Sequence, residues 1–196
     1  MFKMYLQKFL NHDRGAAAIE MALIMPIMLV LYFGMVDITQ FISLNRKITA
    51  ATSAVADLVG QQRPYALSSI ITDDYNAAYM ILAPSPSASL RIDVYDYRLV
   101  NSVVTQMWTT NNGKGTSCGG NPSTTGMSTL MAAGNDVILA RSCMTYTPWV
   151  NSVFGSSLMG ATSFLVQQTI TIRPRSVLTL NCYTSTPSAT TNPSNC

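Results

Sequence analysis

The stretch that decides the fold reads RGAAAIEMALIMPIMLVLYFGMV and occupies residues 14–36. From residue 16 it is an apolar run of the length, roughly 20 residues, that a helix needs to cross the hydrocarbon core of a bilayer. Three basic residues, Lys3, Lys8 and Arg14, precede the run, and Asp37 ends it. Because Lys and Arg concentrate on the cytoplasmic side of membrane segments, the sequence predicts a single transmembrane helix with a cytoplasmic N-terminus.

Glu20 is the charged side chain inside this run. An ionisable group at membrane depth is costly, so it indicates a function by default. The alternative is that Glu20, five residues into the run, reaches the polar interface. A secretory signal peptide is a competing interpretation of the whole segment, but its cleavage site requires small residues after the apolar run. Here the alanines come before the run, and Asp37-Ile38-Thr39-Gln40 follow it.

The helical pattern continues beyond the membrane segment. Apolar residues recur at steps of three and four and predict one helix over residues 16–60, which stops near Gly60. Asn45 and Thr52 fall on the same stripe and weaken it. Pro26 is expected to bend the helix within the bilayer, where neighbouring groups satisfy the freed carbonyl. The stripe consists of Ile38, Phe41, Ile42, Ile48, Ala51, Val55, Leu58 and Val59.

The remaining sequence predicts a small domain. A second helix is expected over residues 73–82, capped by Thr72, with Tyr75, Ala78, Tyr79 and Leu82 on its apolar face. Alternation predicts a strand over 90–95 that buries Leu90, Ile92 and Val94 and turns Arg91, Asp93 and Tyr95 outward. Asp96 falls on the apolar face, so this strand should end or bulge there. Further strands are predicted over 103–109, 136–146, 163–172 and 177–182, with a polar loop over 111–135 and a Ser/Thr/Pro-rich tail over 183–195.

Between the third and fourth predicted strands lies an apolar, aromatic stretch. Core packing is the first interpretation, and a subunit contact or a patch resting on the membrane is the other. The stretch comprises Tyr146, Pro148, Trp149, Val150, Val153 and Phe154.

Four cysteines, Cys118, Cys143, Cys182 and Cys196, all follow the apolar segment. No CxxC or Cys/His spacing points to zinc. An even number in an oxidising compartment predicts two disulfides, for which three connectivities exist. Cys118–Cys143 and Cys182–Cys196 are favoured because both close short loops. Buried free thiols are the alternative.

The residues Arg14-Gly15-Ala16-Ala17-Ala18-Ile19-Glu20 resemble the prepilin peptidase site of the Flp (type IVb) pilin and pseudopilin group. Met21 stands where the major pilins have Tyr or Phe. This difference argues against a major pilin and keeps the minor, TadE-like group as the match. The resemblance to TadE/TadG-like proteins of the tight-adherence pilus extends diffusely to Trp108, Met144-Thr145-Tyr146-Thr147-Pro148 and Ile170-Thr171-Ile172-Arg173-Pro174-Arg175. The chain is too short for an added von Willebrand A domain.

The resemblance implies cleavage between Gly15 and Ala16, which makes Glu20 the fifth residue of the mature chain. It further implies that Glu20 pairs with the new amine of a neighbouring subunit and so sets the register of assembly. The implied partners are a prepilin peptidase, other pilin or pseudopilin subunits, the inner-membrane platform of the pilus and the lipid bilayer. The implied location is the bacterial inner membrane, with the C-terminal domain in the periplasm, or the pilus itself.

Composition excludes several other classes. The formal charge of +3 falls to +1 without residues 1–15, and no basic patch for nucleic acid exists. The single histidine, His12, lies in the expected leader, which leaves no Ser-His-Asp or Cys-His arrangement outside the membrane. No metal or cofactor motif is present, so we expect neither, and an envelope enzyme is disfavoured. The alternative function is an uncleaved single-pass membrane protein whose exterior domain binds a partner or surface.

The sequence therefore predicts an α+β, pilin-like fold. A long N-terminal transmembrane helix packs on a small antiparallel β-sheet domain that carries a second short helix. The expected domains are a leader over 1–15, a transmembrane segment over 16–36, an exterior continuation of the helix over 37–60 and an exterior domain over 61–196.

Overall fold

A computed structural model of the chain describes residues 13–62, 65–131, 135–150, 163–175 and 179–185. The chain divides into two compact units, Met1–Phe41 with Thr147–Thr162 and Ile42–Tyr146 with Ser163–Cys196. Several predictions lie outside the described residues. They concern most of the leader with His12, the side chains Val153 and Phe154, most of the tail, and Cys196.

Helix α1 (Asp13–Gln61) is the first element and contains Pro26. The predicted long helix is confirmed, and it ends one residue after Gly60. In the second unit its buried stripe includes Ile48, Ala51, Val55 and Val59, as predicted. Thr52, which weakened the pattern, is itself buried because its hydroxyl bonds to the Ile48 carbonyl at 2.7 Å and to the Ser142 hydroxyl at 2.5 Å.

Four strands form an antiparallel sheet in the order β3-β2-β4-β5. They are β2 (Leu90–Val100), β3 (Val103–Asn111), β4 (Asp136–Tyr146) and β5 (Phe164–Ile172). The predicted β4 is confirmed at both ends. Strand β2 runs past Asp96 rather than ending there, and a register shift between Asp96 and Tyr97 confirms the predicted bulge. The expected α+β class is therefore confirmed.

Helix α2 (Ser68–Leu82) begins earlier than predicted. The expected cap by Thr72 is wrong, since its hydroxyl lies inside the helix and donates to the Ser68 carbonyl at 2.9 Å. Asp74 lies in the middle of the helix. It is buried and accepts a hydrogen bond from Gln62 Nε2 at 2.8 Å, which explains a carboxylate in the middle of α2. The predicted apolar face is confirmed, with Tyr75, Ala78 and Leu82 buried and Tyr79 packed against the core.

A second, two-stranded sheet joins β1 (Ala66–Leu67) in parallel to β6 (Cys182–Tyr183). The predicted fifth strand over 177–182 is wrong for residues 179–181, which are not in a strand. Residues 176–178 lie outside the described residues. The pairing is short because β1 offers only two residues before α2 begins.

The two central strands of the sheet, β2 and β4, are buried on both faces. One face packs Leu90, Ile92 and Val94 in one core with the stripe of α1 and the apolar face of α2. On the other face a loop with the short helix α3 (Met127–Leu130) folds over Tyr95 and Tyr97. The prediction that Asp93 and Tyr95 face outward is therefore wrong: both are buried. Arg91, also predicted outward, is half-buried.

A disulfide between Cys118 and Cys143 ties this covering loop to β4. The bridge confirms the first favoured pairing. The second pairing, Cys182–Cys196, stays a prediction because Cys196 lies outside the described residues.

Candidate functional site

The N-terminal part of α1 is the candidate for a membrane-spanning segment. The segment Ala17–Gln61 is long and apolar enough to cross a bilayer, by length and composition, and it is the one such helix among the residues that the structure describes. Its large apolar side chains are exposed on every side of the helix, from Ile19 to Met35, which is 75% exposed. A helix that is apolar all round and uncovered within its own chain fits a membrane anchor or a partner-packed helix.

The residues expected for processing lie at the start of this helix. The peptide bond between Gly15 and Ala16 is in the first turn of α1, and Glu20 follows one turn later. Glu20 is exposed, and within the described part of the chain it makes no ion pair. Cleavage, the register role of Glu20 and the bend at Pro26 remain predictions.

Asp37, which ends the apolar run, is only 7% exposed. Its two carboxylate oxygens accept hydrogen bonds from the backbone N–H groups of Trp149 and Val150, each at 2.8 Å. Both donors have helical backbone. A carboxylate that accepts hydrogen bonds from two consecutive N–H groups acts as a helix cap does, because it pairs with donors that have no partner within the first turn of a helix. Asp37 therefore holds the chain after β4 against α1 within the first unit.

Buried charges form a network beneath the disulfide loop. Arg141 on β4 is buried and donates to Tyr95 Oη at 2.9 Å and to the carbonyls of Gly119 and Gly120 at 3.1 and 2.9 Å. It also pairs across the strands with Asp93 at 3.5 Å. Asp93 thus has a cross-strand partner, and Arg141 additionally binds the loop that covers it.

A carboxyl pair lies on the opposite face of the sheet, which faces α1. Asp96 is fully buried, and no donor within the described residues reaches either of its oxygens. Its diagonal neighbour Asp136 pairs with Arg98 and accepts the Leu180 N–H at 2.5 Å. Burial, with a smaller contribution from the negative charge of Asp136, raises the pKa of Asp96 to about 8. A protonated Asp96 can donate to Asp136, which resolves its lack of a donor.

Leu180 connects this pair to Trp108 on β3. The Trp108 indole N–H donates to the Leu180 carbonyl at 2.7 Å, while the Leu180 N–H faces Asp136. The carbonyl and the N–H group of Leu180 are thus hydrogen-bonded to side chains on two different strands, β3 and β4. The arrangement positions the C-terminal segment; it offers no exposed group for acid–base chemistry, since Asp96 and Asp136 are both buried. Among the described residues no three His, Cys, Asp or Glu side chains cluster as a metal site would require.

These features define a class of protein: an α+β domain with a long, apolar N-terminal helix. Residues 15–57 match the family described as TadE-like protein, so this segment is TadE-like, as the sequence motif predicted. The match covers the N-terminal helix and not the sheet domain. No curated protein and no solved structure matches the chain.

Sequence reasoning missed the buried polar groups. Asp37 was interpreted only as the end of the apolar run, and Arg91 and Asp93 of β2 were interpreted as exposed. One signal was available, since Asp96 fell on the apolar face of its strand. No comparable signal marked Asp37, because its partners are backbone groups more than a hundred residues away in sequence.

Proposed function

We propose that this protein is a minor pilin or pseudopilin of the Flp (Tad) type IV pilus, with a structural role in assembly rather than an enzymatic one. The TadE-like match carries this proposal, because it starts at Gly15 and covers most of the helix that would pack in the filament. In this proposal a prepilin peptidase cuts after Gly15, and residues 16–36 anchor the chain in the inner membrane with the domain in the periplasm. Other pilin subunits and the inner-membrane platform are its partners.

The spacing of Ala16 and Glu20 supports the assembly step. Cleavage would create an amine on Ala16, about 6 Å along the helix axis from Glu20 at 1.5 Å per residue. A carboxylate and an ammonium group in an apolar medium are each strongly disfavoured without a partner. Helices that stack with a stagger of about one turn place the amine of one subunit beside Glu20 of the next. This pairing would fix the axial register.

Intact mass and N-terminal sequencing of the membrane-extracted protein, with and without the prepilin peptidase, test the processing step. We expect a mature chain that starts at Ala16 only when the peptidase is present. Gly15→Val should block cleavage by placing a branched side chain beside the scissile bond. Gly34→Val is the matched control, because a Cβ at Gly34 meets nothing within 4 Å. A wild-type chain that still starts at Met1 would move the function to the uncleaved membrane-anchored binding protein.

Glu20→Gln tests the assembly step. Loss of the charge pair should lower pilus number by about tenfold or more, the factor that corresponds to ~1.4 kcal/mol per contact. Cleavage should continue, since the Gly15–Ala16 bond is unchanged. Asp57→Asn removes a half-exposed carboxylate from the same helix and should leave pilus number unchanged. Normal piliation with Glu20→Gln would refute the register role.

A further inference from the structure

The point where the apolar run of α1 ends also holds an exposed tryptophan. Asp37 fixes residues 149 and 150 through two hydrogen bonds of 2.8 Å. Val150 turns inward and is 2% exposed, whereas the side chain of Trp149 is 62% exposed. The two neighbours therefore face opposite environments, and the outward one has the larger side chain.

The level of Trp149 along α1 is set by Asp37. Residues 16–36 have the length of a bilayer core, so Asp37 marks the depth at which hydrocarbon gives way to headgroups. Exposed apolar side chains continue on both sides of this level, at Met35 and Ile38. Tryptophan is enriched at this depth in membrane proteins because its ring is apolar while its indole N–H needs a polar partner.

We propose that Trp149 is an interfacial anchor, held by Asp37, whose ring inserts among the phospholipids at the periplasmic surface of the membrane. The inference rests on the proposed membrane-anchored function of α1. The occupant of this surface is the lipid bilayer, because Asp37 holds the residue with the exposed ring at the end of the exposed apolar run of the membrane helix. The Asp37 carboxylate determines the depth of the ring by fixing the backbone of the residue that carries it.

Tryptophan fluorescence of the full chain in phospholipid vesicles tests this placement. The chain has two tryptophans, and the other one, Trp108, is buried in the domain core. The difference between the wild type and Trp149→Phe therefore isolates the signal of Trp149. Lipids brominated near the headgroup end of the acyl chain should quench that signal about twofold more than lipids brominated near the chain terminus, as an interfacial ring requires.

Asp37→Ala should release the two N–H donors and reduce the lipid quenching of Trp149. Thr39→Ala is its matched control, since it removes only a bond from the Thr39 hydroxyl to the Met35 carbonyl on the same helix. Quenching in Thr39→Ala should equal that of the wild type. Equal quenching in Asp37→Ala would overturn the role given to Asp37.

Extraction with alkaline carbonate separates the failure of this inference from failure of the proposed function. If the chain resists extraction but aqueous iodide, and not brominated lipid, quenches Trp149, the ring faces water and the inference is wrong. If lipid quenching appears only after dilution of the protein in the bilayer, a second copy covers the ring and the lipid assignment is wrong. A chain that carbonate extracts from the membrane would refute the membrane anchor, and with it the proposed function.

Discussion

Replacing Asp96 by Asn should change how the stability of the domain depends on pH. The pKa of Asp96 rises from 3.8 to about 8, first because the side chain is buried and second because Asp136 is negative. The folded chain therefore holds a proton that the unfolded chain has lost between about pH 4 and pH 8. Stability falls with rising pH in this window, by up to ~1.4 kcal/mol per pH unit. Asn keeps the size of the side chain and an N–H donor towards Asp136 without the titration.

The expected result is a difference in slope. Between pH 5 and pH 7 the free energy of unfolding should fall by about 2 to 3 kcal/mol more in the parent than in Asp96→Asn. Asp74, whose pKa burial raises to about 6, contributes a fall with the same sign, but it is present in both proteins and cancels. Denaturant unfolding of the full chain in detergent, followed by Trp108 fluorescence in a Trp149→Phe background, measures both slopes. Equal slopes would refute a proton shared between Asp96 and Asp136.

Three further predictions concern the stability of the same domain and use the same unfolding assay. Cys118→Ser opens a bridge with a sequence separation of 25; loop closure predicts a loss of about 3.5 kcal/mol, and a loss below ~1 kcal/mol would show that the loop holds its place without the bridge. Thr52→Val leaves the Ser142 hydroxyl buried without its partner and should cost about 1–3 kcal/mol, whereas Thr52→Ser should restore most of the loss. Gly115→Ala places a Cβ 2.6 Å from the Ser89 carbonyl oxygen at a φ of +65°. Gly115→Ala should cost at least ~1 kcal/mol more stability than Gly119→Ala, where φ is a similar +67° and the space around the Cβ is open. Equal losses would show that only the backbone conformation, and not the close contact, lowers stability.

Hydrophobic periodicity predicted the elements whose environment is uniform along their length. Helix α1 and strand β4 were predicted correctly because their apolar residues repeat over many positions. An error of a residue or two at the end of such an element does not change which face is buried. The same periodicity failed for the start of α2, where Thr72 and Asp73 resemble a cap. The actual start at Ser68 is fixed instead by β1, whose pairing with β6 lies far along the chain.

Burial on both faces of the sheet could not be predicted from alternation. The pattern around Asp93 and Tyr95 is typical of a strand with one wet face, and a covering loop with few apolar residues gave no sign of packing there. Met127 and Met131 supply the contact, together with the carbonyls that receive Arg141. The candidate site divides in the same way. A local motif predicted roles for Gly15 and Glu20, whereas the hydrogen bonds of Asp37 depend on tertiary structure.

The pairing of β1 with β6 has a consequence for the order in which the chain matures. Strands β2 to β5 pair with segments that lie closer along the chain, so their contacts close shorter loops than the pairing of β1 with β6 does. Ala66, shortly after the long helix, pairs with Cys182, and Trp108 donates a hydrogen bond to Leu180. A segment that follows all four strands of the main sheet therefore completes the junction between helix and sheet. A chain terminated before Leu180 would retain its anchor and its sheet strands but lack this final closure.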